Sequence, residues 1–201
     1  QQGLRHYREL YPDDRYPNGH EDFIRALRTV AKSQEEAERA EEAEAAWLNL
    51  VHAAQRLYPL EEYPEGHISI AESLRYLGVH YSDNDRWEFA VNYLRQSLGV
   101  LQKLNSHAPQ SDVHSELNLT LTDLARVLNE QGETEEAIAL ADERLAMNRR
   151  LHPKEDFPIG HEDILQSLKS LSDLFAARDD HEQALHYDEL SLQAATALYP
   201  S

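Results

Sequence analysis

Apolar residues recur along the chain in steps of four, three and four. Ile70, Leu74, Leu77 and Tyr81 form one run, Leu117, Leu121, Leu124 and Leu128 a second, and Ile164, Leu168, Leu171 and Phe175 a third. That spacing draws one stripe along an amphipathic helix. A polar break follows each run: Ser82-Asp83-Asn84-Asp85, Glu130-Gln131-Gly132-Glu133 and Arg178-Asp179-Asp180. The corresponding place nearer the start, Ser33-Gln34-Glu35-Glu36, holds no strong breaker. Beyond each break a second helical pattern runs to a Leu that stands two residues before Pro or in its register. The residue before Pro is pushed out of the α region, so the second helix is predicted to stop there.

These hairpins repeat. Leu10-Tyr11-Pro12 returns as Leu57-Tyr58-Pro59, Leu151-His152-Pro153 and Leu198-Tyr199-Pro200, and Leu104 stands where the missing copy belongs, which sets a period of 47 residues. His20, His67, His114 and His161 share one register, and Ala43, Ala90, Ala137 and Ala184 another. The predicted repeats are 10–56, 57–103, 104–150 and 151–197, with 1–9 ending a preceding repeat and 198–201 opening a fifth. All eight Pro lie in the third to eighth positions of a repeat, which marks a loop. Gly19, Gly66 and Gly160 directly precede three of the periodic His. One hairpin cannot bury its stripe alone, whereas stacked hairpins can, and the product is an α-solenoid. Neither end reads as a polar cap, so the expectation is a piece of a longer array whose exposed ends would self-associate.

The residues at these positions resemble the tetratricopeptide repeat (TPR). The match in the second repeat is Leu74, Leu77-Gly78, Tyr81, Ala90 and then Tyr93 or Leu94; in the third it is Leu121, Leu124-Ala125, Leu128, Gly132 and Ala137. The usual Trp of the first helix, helix A, is Leu here. The period exceeds the usual repeat of roughly 34 residues, as in kinesin-light-chain-type arrays and the bacterial arrays that accompany CHAT caspase-like domains. The resemblance implies an all-α, right-handed TPR superhelix of four hairpins with a partial leading helix. It also implies a concave groove lined by helices A, and regulation of a CHAT-type protease effector.

Composition narrows the function. The chain has 201 residues, 37 acidic and 19 basic, for a net charge of −18. Such a charge argues against nucleic acid held by counterion release. No apolar run approaches the roughly 20 residues a membrane span needs, and no signal peptide is visible at Gln1, so a cytoplasmic location is expected. Cys is absent, which excludes disulfides, thiol nucleophiles and Cys-ligated zinc. No G-x-S-x-G, P-loop, H-E-x-x-H or dinucleotide fingerprint occurs. No cofactor, metal or catalytic residue is expected.

Three sets of residues are candidates for more than packing. The periodic His would lie too far apart, one repeat to the next, to share a metal, so capping or packing at the start of helix A is expected. Tyr16-Pro17, Tyr63-Pro64 and Phe157-Pro158 read as loop packing; Gln110-Ser111 replaces that pair in the third repeat, which predicts a looser or different loop. Glu35, Glu36, Glu38, Glu41, Glu42 and Glu44 crowd the first repeat and read as a solvated helix without a pocket. Trp47 and Trp87 read as packing residues.

The third set is basic. The resemblance implies that one position of helix A points into the groove, and Arg28, Arg75, Thr122 and Lys169 occupy it. Lys32, Val79 and Arg126 follow one turn later, with Asp173 in the last repeat, and Arg25 precedes Arg28 by a turn. A basic line in so acidic a chain would favour an acidic peptide or a C-terminal carboxylate; the opposite reading is charge balance on a solvated face. The Asn that related repeats use to grip peptide backbone is absent. The expected function is a non-enzymatic scaffold that binds a protein or peptide through Arg25, Arg28, Lys32, Arg75, Val79, Thr122, Arg126 and Lys169. The alternative is a structural spacer or self-assembly module acting through the solenoid ends.

Overall fold

A computed structural model describes residues 11–200 except 13, 108, 109 and 159. The partial leading helix expected over 1–9 lies outside the described residues. Eight α-helices and no strand occur among the described residues: α1 (Glu21–Glu36), α2 (Ala40–Leu57), α3 (Ile68–Asp83), α4 (Trp87–His107), α5 (Ser111–Glu130), α6 (Thr134–Leu151), α7 (Glu162–Ala177) and α8 (His181–Leu198). The chain divides into two compact units, Gln1–Thr120 and Leu121–Ser201, with the division inside α5.

In the first unit α1 pairs with α2 and α3 with α4, and α2 packs on α3. The apolar stripes meet there: Leu27, Trp47, Leu50, Leu74, Leu77, Leu94 and Leu101 are buried. Gly78 marks a close approach of the two helices of the second hairpin. A Cβ on it would stand 2.8 Å from Leu94 Cγ and 3.3 Å from the Ala90 carbonyl oxygen. The periodic Ala is therefore small because helix A lies directly against it. In the second unit α7 pairs with α8 and packs on α6, over Leu145, Leu165, Leu168 and Leu171.

The loops show why three of the repeats share one entry into helix A. His20, His67 and His161 are N-caps, and each Nδ1 accepts the backbone N–H two residues on at 3.2 Å. Each ring stacks on the aromatic or His that opens its repeat; Tyr58 and His67 lie 3.5 Å apart at 9°. Tyr63 stands edge-on to Tyr58 at 5.2 Å, and Tyr11, Tyr16 and His20 repeat the arrangement. The Gly before each His has φ near +90° (93°, 89° and 93° at Gly19, Gly66 and Gly160), which a Cβ disfavours.

The third repeat departs from this. Val113 occupies the Gly register and Ser111 the Pro register. A β-branched residue does not take that φ, and α5 instead starts at Ser111, three residues before the periodic His114. Ser106 replaces the Pro that stops the other second helices, and α4 runs past Leu104 to His107. One expectation is corrected in the first repeat. Ser33-Gln34-Glu35-Glu36 is the last turn of α1, and the break falls at 37–39. The reason is that left-handed backbone recurs at one register, Glu38 (56°), Asp85 (57°), Gly132 (84°) and Asp179 (60°).

Candidate functional site

Arg25, Arg28 and Lys32 follow one another at steps of three and four on α1, so they share a face. Arg25 is exposed and pairs with Asp22 one turn back. Arg28 and Lys32 converge on a residue of the next hairpin: Arg28 Cζ lies 5.8 Å and Lys32 Nζ 5.5 Å from the ring centre of Tyr76. Arg75 Cζ lies 4.9 Å from the same centre. Trp47 of α2 stacks on Tyr76 at 5.4 Å and 16°. Helix B of one repeat thus supplies the platform, helix A of the next the ring, and both helices A the cations. Val79 follows Arg75 by one turn and is half-buried.

The cluster also holds acid. Arg75 is bonded to Glu116 of α5, and both side chains are largely buried. Glu72 lies beside them; burial, then the Glu116 charge, raises its carboxyl above the ordinary range, while Arg28 and Arg75 oppose the rise. Arg75 is therefore committed to an internal pair. Arg28 and Lys32 form no ion pair among the described residues, although Arg28 lies near enough to Glu72 to favour its carboxylate. Contact with a ring face stabilises an exposed cation by only about 0.5–1 kcal/mol, so an incoming anion can recruit them.

The remaining predicted positions come together in the second unit. Thr122 and Arg126 of α5 and Lys169 of α7 line one cavity of about 390 Å³ with Asn129, Arg144 and Asp173. Arg126 and Lys169 are exposed at its rim, and Arg144 is buried. Burial lowers the Arg144 pKa, and Asp163 acts against that. The eight predicted residues thus form two groups: Arg25, Arg28, Lys32, Arg75 and Val79 in the first unit, and Thr122, Arg126 and Lys169 in the second.

Sequence reasoning missed Tyr76, Arg144 and the platform role of Trp47. Tyr76 adjoins Arg75, but only the stacking of α2 on α3 brings it to Trp47. Arg144 sits among Glu and Arg on a second helix and reads there as solvated.

One group could offer metal ligands. His152, His161 and Asp163 each place a donor atom within 4.8 Å of the others. The two imidazoles stack at 3.4 Å and 6°. Their lone pairs lie in parallel planes, so one ion cannot sit at about 2.0–2.1 Å from a nitrogen of each along its lone pair. The trio is the loop clamp of the other repeats with His152 in the Tyr position. His161 caps α7, and His152 Nε2 lies 3.2 Å from Asp163.

Among known proteins, residues 119–159 match the family model described as tetratricopeptide repeat. The crystal structure of BtubC (BKLC) from P. vanneervenii is similar in fold, with a TM-score of 0.54 at 15% identity over 100% of this chain and 91% of that one. The putative kinesin light chain TPR-like repeats of Podosopora anserina align over 90% of this chain and 99% of that one, with 16% identity and a TM-score of 0.41. MamA aligns over 90% and 98%, with 13% identity and a TM-score of 0.31. No curated protein matches the sequence. With its helical hairpins and a fold shared with BtubC, the chain is an all-α solenoid, and its residues 119–159 match a tetratricopeptide repeat.

Proposed function

We propose that the chain is a non-enzymatic, cytoplasmic scaffold that holds an acidic segment of a partner protein against the Arg28–Lys32–Tyr76 cluster. The repeat class mediates protein–protein interaction and scaffolding. One observation carries the finer reading: in a chain of net charge −18, Arg28 and Lys32 converge on one aromatic ring, and neither forms an ion pair among the described residues. An acidic side chain over that ring would gain charge-assisted hydrogen bonds, and its apolar neighbours would gain the Tyr76 surface. The Thr122–Arg126–Lys169 cavity is proposed as a second contact for the same segment class. Regulation of a CHAT-type protease effector rests on the resemblance alone, and this reading does not require it.

The test is fluorescence anisotropy with a labelled, end-blocked peptide of alternating Glu and Phe, and a Lys and Phe peptide as control. Arg28→Glu with Lys32→Glu reverses the two cations that form no ion pair among the described residues. Arg75 is left intact, because its loss would strand Glu116 in a buried position. The acidic peptide should bind, the basic one should not, and the double reversal should weaken binding about tenfold or more. Equal affinity for the variant and the parent chain would end this reading.

A second reading has its own observation. Leu185 and Leu192 on α8 are 60% and 67% exposed, whereas Ile138 and Leu145, one repeat earlier, are 7% and 4% exposed beneath the next helix. That face suits self-association. Light scattering that shows a concentration-dependent mass, lost in Leu185→Lys with Leu192→Lys, would favour the spacer or self-assembly role.

A further inference from the structure

The joint between the first two hairpins closes on His67. Its Nδ1 accepts the Ser69 backbone N–H at 3.2 Å and so caps α3. A backbone N–H only donates, so Nδ1 carries no proton in the closed joint, and the ring holds its one proton on Nε2. The ring lies flat on Tyr58 at 3.5 Å and 9°, and Tyr63 stands edge-on to both. Tyr58 directly follows α2, and its hydroxyl bonds Glu21 of α1 at 2.7 Å and Ser69 of α3. Helices α1, α2 and α3 thus meet at one stacked pair. The same three helices supply Arg28 and Lys32, Trp47, and Tyr76 to the basic cluster.

Protonation of His67 undoes this joint. The second proton must go to Nδ1, where it meets the Ser69 N–H, and the cap is lost. The positive end of α3 opposes a cation there as well. Burial lowers the His67 pKa below its ordinary 6.5; the Glu21 charge on α1 acts the other way without reversing the direction. The phenols of Tyr58 and Tyr63 flank the ring, and Val100 of α4 stands over Gly66. Glu65 of the same loop pairs with His107 of α4 at 3.3 Å. The closed joint therefore binds fewer protons than the open one. Its stabilising contribution is complete above pH 6.5 and is lost as pH falls below that value.

We propose that His67 is an acid-sensitive latch on the basic cluster: its protonation opens the α2–α3 joint, lets α3 shift against α2, and releases an acidic partner segment. The latch rests on the binding reading above and adds its regulation. Charge alone would act in the opposite sense. The Glu72 carboxyl is held above the ordinary range, so acid neutralises it early and makes the cluster more positive. Loss of an acidic ligand on acidification is therefore a mark of the latch and not of the cluster's own charge.

The test joins NMR and fluorescence anisotropy on the whole chain from about pH 7.5 to about 5.5, where the Glu side chains of the alternating Glu and Phe peptide stay ionised. The His67 imidazole nitrogens and the Ser69 amide should titrate together, with a midpoint below 6.5. Peptide affinity should fall by up to about tenfold per pH unit below that midpoint. His67→Asn supplies a side-chain cap that does not titrate, so the affinity of the parent chain relative to this variant should fall with pH. The titration of the parent chain decides by itself if the variant loses its helical circular dichroism. A Ser69 amide that does not follow His67 overturns the latch even where the peptide binds. Affinity that rises on acidification, or a parent-to-variant ratio that ignores pH, overturns its coupling to the cluster. A peptide that binds at no pH overturns that coupling together with the reading it rests on.

Discussion

The turn before helix A lends itself to a quantitative test at Gly66. Two costs meet there when Ala replaces Gly. The first is backbone: φ is +89°, where an L side chain is strained, by about 1–2 kcal/mol. The lower entropy of the unfolded Ala chain offsets roughly 0.5–1 kcal/mol of that. The second is steric: the new Cβ would stand 2.8 Å from Val100 Cγ1. Val is stiff about χ1, so relief needs a shift of α4 or of the loop, at about 1–3 kcal/mol. Gly132 separates the two costs. Its φ is +84°, and nothing lies within 4 Å of its Cβ position. Gly132→Ala should therefore destabilise by only about 0.5–1 kcal/mol, and Gly66→Ala by about 2–4 kcal/mol. Urea unfolding followed by helical circular dichroism gives both values, provided the slope is unchanged. Adding Val100→Ala should narrow the gap between Gly66→Ala and Gly66 on that background. If Gly66→Ala costs no more than Gly132→Ala, the close contact with Val100 is not what fixes this loop.

Asp85→Gly should stabilise the chain by about 0.5 kcal/mol in the same assay, because Asp85 is held at φ 57° in the register that Gly132 fills. Tyr58 gives a pH prediction: burial, then its bond to Glu21, raises its pKa to about 12 from 10.0. A raised pKa stabilises the fold below the unfolded value, so this contribution is complete below pH 10 and fades as pH rises toward 12. Tyr58→Phe should therefore destabilise at pH 8 and converge with the parent chain near pH 12; a gap that does not change with pH would refute the assignment. Asn148→Ala should cost about 2–3 kcal/mol by thermal unfolding, since Asn148 is 1% exposed and donates to the Asp163 carbonyl and to Ser167 Oγ.

The helices were legible because their signals are local. Steps of four, three and four place Leu74, Leu77 and Tyr81 on one buried stripe, and a Pro two residues past Leu57 or Leu151 stops the second helix. The departures of the third repeat are legible as well, once the register is read as a set of backbone demands. Val113 and Ser111 stand where Gly and Pro are needed, and α5 starts early for that reason. The break in the first repeat was misplaced because Glu38 carries the left-handed conformation without being Gly. A polar residue in that conformation has no compositional mark, and only its place two 47-residue periods before Gly132 betrays it.

The sites were less legible, because they are made between hairpins. The cations of α1 can be read from the spacing of Arg28 and Lys32, but the ring they meet is chosen by how α2 packs on α3. Trp47 shows the point most clearly. It stacks on Tyr76 with its ring and donates its indole N–H to Glu35, so one buried side chain joins the basic cluster to the end of α1. Trp47→Phe keeps a smaller ring against Tyr76 and removes the donor. Glu35 would then lose one of the two bonds on Oε1 and keep the one to His80. Trp47→Phe should cost stability by thermal unfolding yet still bind the acidic peptide, whereas Trp47→Ala should cost about 3–5 kcal/mol and weaken that peptide as well. If Trp47→Phe loses the acidic peptide as fully as Trp47→Ala does, the ring face of Trp47 is not what it contributes to the basic cluster.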